Sequence, residues 1–279
     1  MLIDLHAHSA VSDGTQSPTD LVAAAANAGV DVLALSDHDT TQGLAEAEEA
    51  AGRLGVHVVP AIEVSTCWRD CDVHLLAYWP DTQDEALQQM LGTIRRGRVT
   101  RIPQMLAGLA EAGIEISEDD VRRAAGSADS LGRPHVADAL VAAGVVFSRE
   151  QAFAALIGEG MPGHVRKPAP ALLRAIATVA DAGAVPVLAH PWGRGSRAAL
   201  DEAALDELSA GGLAGLEVDH GDHDEDDREK LRAIARDLGL VATGGSDYHG
   251  AGKAGVALGM NSTSPQAYEA LRVRRGRVA

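Results

Sequence analysis

His6 and His8 stand two residues apart at the end of a short apolar run, Leu2 to Leu5, and Asp247 and His249 repeat that spacing after Leu240 to Thr243. Side chains alternate along a strand, so residues at i and i+2 face one side and can reach one ion. A single His-x-His says little. Here, however, an imidazole or carboxylate stands at nearly every strand-like run. Asp13 lies in the first loop, His38 after the second run, Glu63 after the third, His74 on the fourth, and His190 closes a later one. Imidazole and carboxylate without thiolate suit Mn, Fe or Zn, whereas an all-oxygen site would suit Mg or Ca. The nine residues His6, His8, Asp13, His38, Glu63, His74, His190, Asp247 and His249 are too many for one ion and suit two or three. Clustered divalent ions acidify a bound water toward neutrality and neutralise charge on a phosphoryl group. A set of merely buried, hydrogen-bonded histidines would have no reason to recur at successive strand ends.

The elements that must position these residues alternate. Strand-like runs at Leu2–Leu5, Val30–Leu35, Val56–Ala61 and Val73–Tyr78 are separated by helix patterns, the first opened by Ser17-Pro18 and closed by Gly29. Ser is a good N-cap and Pro suits the first helical position. Strands Val185–Ala189, Leu213–Val218 and Leu240–Thr243 alternate with helices Pro170–Ala182, Leu200–Leu208 and Asp226–Leu238. Short connections predict parallel strands in an α/β barrel of about seven units, whose strand C-termini share one functional face. Between Thr93 and Lys167 only helix patterns occur: Leu106–Ala112, Glu118–Ala125, Pro134–Ala143 and Arg149–Ile157. The expectation is a barrel formed by residues 1–95 and 166–279, capped at its mouth by a helical insertion over residues 96–165.

The motifs Leu5-His6-Ala7-His8, Ser36-Asp37-His38-Asp39-Thr40, Glu63, His74, Ala189-His190-Pro191 and Gly245-Ser246-Asp247-Tyr248-His249 run in order over nearly the whole chain. Together they resemble the PHP (polymerase and histidinol phosphatase) family. The resemblance implies a distorted (β/α)7 TIM-like barrel with a trinuclear centre that hydrolyses phosphoesters by attack of a metal-bound hydroxide. It implies that His6 and His8 share one metal with Glu63 and Asp247. Glu63 would bridge to a second, also held by His74 and His190, and Asp13, His38 and His249 would hold the third. Glu63, Asp247 and His190 would then be the catalytic residues. The insertion with Gly132-Arg133-Pro134-His135 resembles the branch acting on 3′,5′-bisphosphorylated nucleotides and short RNA 5′ ends. Histidinol-phosphate phosphatase is the alternative within the family, and a non-catalytic metal or nucleotide sensor the alternative outside enzymes. The amidohydrolase superfamily also opens on His-x-His, but none of Lys167, Lys230 and Lys253 lies on a convincing strand to bridge its metals.

Composition narrows the partners. The 279 residues, with 46% hydrophobic and 23% charged, suit a globular chain of one or two domains. A net charge of −16 disfavours duplex DNA and anionic membrane surfaces. The N-terminus lacks a signal-peptide pattern, so a cytoplasmic enzyme acting on a small phosphate ester, a nucleotide or short RNA is expected. Cys67 and Cys71 read as incidental, and the basic stretch Arg272–Arg277 as a solvated tail. Asp37 and Asp39 fit the orienting of imidazoles or helix starts equally well. In Asp219–Asp224, His220 or His223 comes within reach of the site while the rest reads as a solvated acidic loop. No spare Arg or Lys is evident at the strand ends. A second phosphate would therefore need Arg133, His135 or Lys167 from the insertion.

Overall fold

The computed structural model describes residues 1–126, 128, 131–165 and 169–278. Seven strands follow one another through a single sheet: β1 (Ile3–Ala7), β2 (Val32–Leu35), β3 (His57–Trp68), β4 (Cys71–Tyr78), β5 (Val185–Leu188), β6 (Gly215–Asp219) and β7 (Val241–Gly244), each hydrogen-bonded to the next. Beyond β7, Asp247 N donates to His6 O at 2.8 Å and His8 N donates to Tyr248 O at 2.9 Å. These bonds bring the end of the sheet back to β1 and nearly close a TIM-like barrel. The architecture is the mixed α/β barrel that the motifs imply.

Two helices cover the first strands, α1 (Pro18–Asn27) and α2 (Leu44–Leu54). The Ser17 hydroxyl caps α1 by accepting from Asp20 N at 3.1 Å, with Pro18 in the first turn. Between β4 and β5 come α3 (Glu85–Glu111), α4 (Glu118–Ala125), α5 (Arg133–Ala142), α6 (Arg149–Ala152, continued by a π turn over Phe153–Ile157) and α7 (Leu172–Asp181). The last three are α8 (Glu202–Ala210), α9 (Glu225–Asp237) and α10 (Pro265–Val278).

Two expectations need correction. The strands are not all parallel, because β4 pairs antiparallel with both β3 and β5. The cause is a tight hairpin: Trp68 pairs with Cys71 across Arg69 and Asp70, whose φ angles are 44° and 69°. Two consecutive left-handed residues make the turn that suits a two-residue hairpin, but Arg-Asp lacks the Asn-Gly signature that would announce it. Secondly, the stretch before residue 112 is one helix, α3, of 27 residues with Pro103 inside it. Its first half buries Leu87, Leu91 and Ile94 against the barrel core. Its second half buries Ile102, Met105 and Leu109 in a separate cluster with Val121, Val136 and Leu140 of α4 and α5. The apolar stripe changes partner midway, which breaks the periodicity a sequence reading relies on. The basic C-terminal stretch also belongs to a helix, α10, which is anchored by buried Tyr268 and Leu271.

Candidate metal centre

The end of β1 puts His6 and His8 on one side, and both are buried. Close approach of the β7 end is possible only because residue 245 is glycine. A Cβ there would lie 2.4 Å from His6 Cβ and 2.7 Å from His6 N. Beyond it, Asp247 adopts φ 54°, and His190, after β5, adopts φ 28°. Non-glycine residues in this region are strained, and such strain persists where the surroundings hold it. Here the hold is visible: His190 N donates to Glu217 Oε2 at 2.9 Å, and Asp247 N donates to His6 O. His74 reaches the same face from the first half of β4, because the hairpin turns that strand back from the mouth.

The nine residues converge. His6 Nε2 lies 3.1 Å from His8 Nε2, 3.3 Å from Glu63 Oε2 and 3.4 Å from Asp247 Oδ1. His8 Nε2 lies 3.1 Å from that Glu63 oxygen and 3.2 Å from that Asp247 oxygen. These four side chains bring their ligand atoms within 4.8 Å of one another, close enough for one ion to reach them all. Around Glu63 the second oxygen, Oε1, meets His74 Nδ1 at 2.7 Å and His190 Nε2 at 3.0 Å, while His38 Nδ1 is 3.2 Å from Oε2. Asp13 meets His249 Nε2 at 3.3 Å, His38 Nε2 at 3.6 Å and His8 Nδ1 at 3.7 Å. Among the described residues, eight of the nine fall into three groups: His6, His8, Glu63 and Asp247; His38, Glu63 and His74; and His8, Asp13, His38 and His249. His190, expected with His74 on the second metal, joins none of them and instead meets Glu63 Oε1. His8 and His38 each belong to two groups, a sharing that the motif order did not imply.

These residues fit divalent ions. Glu63 Oε2, Asp247 Oδ1, His8 Nδ1 and His38 Nδ1 are buried with no hydrogen-bond partner among the described residues. Burial without a partner is costly, and a cation at each focus would remove the cost. Outer contacts orient the imidazoles in the same sense. His6 Nδ1 donates to Glu217 Oε1 at 2.9 Å, and His249 Nδ1 donates to the Asp247 carbonyl at 2.8 Å, so both turn Nε2 inward. Electrostatics agree. Burial opposes ionisation of Glu63, but His38, His74 and His6 hold its carboxyl well below the ordinary range. Asp13 and Asp247 are lowered likewise by neighbouring imidazoles. Burial works against charge on His6 and His8 as well, yet surrounding carboxylates raise both, His8 to about 9. His38 and His190 go the other way, lowered by burial, with the Arg194 guanidinium adding to the effect at His190.

Several residues have roles the sequence did not reveal. Asp37 orients no imidazole and starts no helix. It accepts from Ser9 N, Ser9 Oγ and Ser12 Oγ at 2.6–2.8 Å, shaping the loop that carries Asp13. Asp39 accepts from Ser65 N at 2.7 Å and pairs with Arg98 at 2.6 Å. His220 and His223 are both buried, not solvated. His220 Nε2 lies 3.4 Å from Asp247 Oδ2, and His223 Nδ1 donates to Val218 O. Glu217 was missed because one carboxylate inside an apolar run carries no local signal.

The mouth opens into a cavity of about 530 Å³ lined by His38, His74, His190 and His249 at the centre and by α5 and α6 beyond. Its wall corrects the expectation that strand ends lack cations. Arg194 and Lys253 both reach Asp247 Oδ2 at 2.7 Å, and Arg98 and Arg101 enter from α3. Arg133 also lines it, paired with Asp72 at 3.2 Å. His135 does not. Gly132 N donates to its Nδ1 at 3.0 Å and its Nε2 donates to Ser12 O at 3.1 Å, so neither ring nitrogen remains for a ligand. Lys167 lies outside the described residues.

Residues 4–115 match the PHP domain family model. A 3′,5′-nucleoside bisphosphate phosphatase of Chromobacterium violaceum is 38% identical over 94% of this chain and 92% of its own. A 5′-3′ exoribonuclease of Haemophilus influenzae is 32% identical over 88% of this chain and 89% of its own. A solved structure described as a metal-dependent phosphoesterase, from Bifidobacterium adolescentis, is similar with a TM-score of 0.93 and 37% identity, covering 98% of this chain and 96% of that one.

Proposed function

Since this chain belongs to the PHP domain family of metal-dependent phosphoesterases, we propose that it releases phosphate from 3′,5′-nucleoside bisphosphates. The observation that carries this choice is the cavity. Its wall holds both imidazoles of the centre, those of His38, His74, His190 and His249, and the guanidiniums of Arg98, Arg101 and Arg133, so a ligand with more than one anionic group would find partners for each. Its volume of about 530 Å³ is in the range of small-molecule sites. Short 5′-phosphorylated RNA is the second reading, favoured by the exoribonuclease relative.

The nine residues are proposed to hold two or three ions of Mn, Fe or Zn. Bound divalent ions supply Lewis acidity and a water acidified toward neutral pH. The chain does the rest. Glu63, Asp247 and His190 are the catalytic residues in this reading, with His190 on the cavity wall and the two carboxylates buried beneath it. Glu63 uses both oxygens to tie the groups together, and Glu217 keeps His6 Nε2 inward. Arg194 and Lys253, both held on Asp247 Oδ2 and both lining the cavity, would add positive charge beside the phosphoryl group. The barrel unit is taken as residues 1–95 and 166–279, with 96–165 as the cap that walls the cavity.

The test is phosphate release by Mn-loaded protein from adenosine 3′,5′-bisphosphate, adenosine 5′-monophosphate, 5′-phosphorylated trinucleotide RNA and histidinol phosphate. The bisphosphate is expected to show the highest kcat/KM. A preference for histidinol phosphate would overturn the reading, and RNA in first place would favour the second one.

A further inference from the structure

His220 is fully buried, belongs to none of the three ligand groups and does not line the cavity. Its tautomer is set by the loop that carries it. Asp222 N donates to Nδ1 at 3.0 Å, and because a peptide N–H can only donate, the neutral ring keeps its proton on Nε2. That nitrogen is buried, has no hydrogen-bond partner among the described residues and stands 3.4 Å from Asp247 Oδ2. A ring nitrogen that carries a proton has no lone pair for an ion, so His220 is not a tenth ligand. It is a donor facing a carboxylate.

The loop after β6 holds this donor in place. His223 has the opposite tautomer: Nδ1 donates to Val218 O at 2.9 Å, and Nε2 accepts from Trp192 N at 3.2 Å. That ring is fully used, and it ties the loop to the segment that follows His190. Arg228 of α9 braces the backbone, with Nη2 donating to His220 O at 2.7 Å and Nε to His223 O at 3.2 Å.

The two oxygens of Asp247 face different surroundings. Oδ1 lies 3.4 Å from His6 Nε2 and 3.2 Å from His8 Nε2, without a hydrogen-bond partner among the described residues. Oδ2 receives Arg194 and Lys253, each at 2.7 Å. Those two side chains are 43% and 29% exposed and line the cavity, so water and any bound anion compete for them. His220, at 0% exposure, is shielded from both.

We propose that His220 is the positioning residue of Asp247: its Nε2–H donates to Oδ2 and keeps Oδ1 turned toward the ion held with His6 and His8. The proposal rests on the ion-binding reading of the previous section and not on the choice of substrate. A carboxylate already oriented has less freedom to lose when the ion binds, which is how contacts behind a ligand raise metal affinity.

Two variants divide the ring into its halves. His220→Asn puts an amide oxygen near the place of Nδ1, where it can accept from Asp222 N, and leaves no donor for Asp247. His220→Gln carries an amide nitrogen to the place of Nε2 and gives up the Nδ1 acceptor. In chelator titrations of Mn-loaded protein, His220→Asn is expected to lose one metal equivalent roughly 10- to 100-fold more readily than the wild type. Its kcat for p-nitrophenyl phosphate should fall with KM nearly unchanged. His220→Gln is expected to bind the full metal complement and to recover most of both losses. Wild-type retention in His220→Asn would overturn the proposal, as would equal losses in the two variants. A whole equivalent missing from His220→Gln would make His220 a ligand instead. Nitrogen-15 NMR of the wild-type histidines reads the tautomer without any substitution. A proton on Nε2 is expected in both metal-free and loaded protein, and a proton on Nδ1 overturns the assignment. Wild-type protein that takes up no metal would end the ion-binding reading and this proposal with it, whereas metal uptake without action on bisphosphates would end only the choice of substrate.

Discussion

Glu63 is the residue on which the centre depends most, because each of its oxygens serves a different set of imidazoles. Oε1 faces His74 and His190, and Oε2 faces His6, His8 and His38. In the proposed centre its charge would let cations sit close together among buried imidazoles. Glu63→Gln keeps the shape, removes the charge and turns an amide toward groups that need an acceptor. Metal content is expected to drop by at least one equivalent, and phosphate release by about 100-fold or more, a larger effect than the 10- to 100-fold typical of outer contacts. Elemental analysis of the purified variant beside its kinetics checks this. Full activity at unchanged stoichiometry would remove Glu63 from the site.

At the scale of elements, the proposed cap is fastened to the loops that carry Asp13 and His249, two of the proposed ligands. Arg149 of α6 grips Asp138 of α5 through Nε and Nη2, while its Nη1 donates to Asp13 O at 3.2 Å and Gly252 O at 3.4 Å. His135 of α5 donates to Ser12 O in the same loop as Asp13. The group of His8, Asp13, His38 and His249 is thus held from outside the barrel as well as within it. Arg149→Met should loosen that group without unfolding a helix. The expected result is a 10- to 100-fold weaker retention of one metal equivalent, read by titration against a chelator, with far-ultraviolet circular dichroism unchanged. Lost activity at unchanged metal affinity would assign Arg149 to the substrate instead.

For the whole molecule, the centre concentrates buried charge that the fold alone leaves incompletely satisfied. Ions that bind the native state stabilise it by mass action, by about 4 kcal/mol at a thousandfold excess over Kd. Stripping the metals with a chelator should therefore lower the melting temperature by roughly 5–15 °C in a chain of this size. The gap should depend on pH in a definite direction. Carboxylates raise His6 and His8 in the metal-free protein, His8 to about 9, so at neutral pH both hold protons that ions must displace. Raised pKa values mean stronger proton competition as pH falls. The stabilisation by metal is accordingly expected to be greatest near pH 9 and to shrink toward pH 6, as calorimetry with and without chelator would reveal. A gap that widens on acidification would contradict the assignment of these two imidazoles to the ions. The same clustering explains how a chain of net charge −16 handles anions: Arg98, Arg101, Arg133, Arg194 and Lys253 are gathered in one cavity rather than spread over the surface.

The sequence by itself determined the seven-strand barrel and the inward set of ligand-type residues. Strand alternation has a period of two, so His6 with His8 and Asp247 with His249 announce a shared face wherever they lie, and Ser17-Pro18 marks a helix start from local chemistry alone. Tertiary structure decided what depends on contacts between distant segments. The antiparallel return of β4 came from two left-handed residues, Arg69 and Asp70, that carry no turn signature. Glu217 gained its role only when β6 lay beside His6 and His190, 211 and 27 residues away along the chain. His135 was withdrawn from the ligand by two hydrogen bonds that no spacing encodes, and Lys253 and Arg194 were brought to one carboxylate by loops after different strands. The division follows from range: backbone periodicity and caps are written within a few residues, whereas the partner of a long or buried polar side chain exists only once the chain has closed around it.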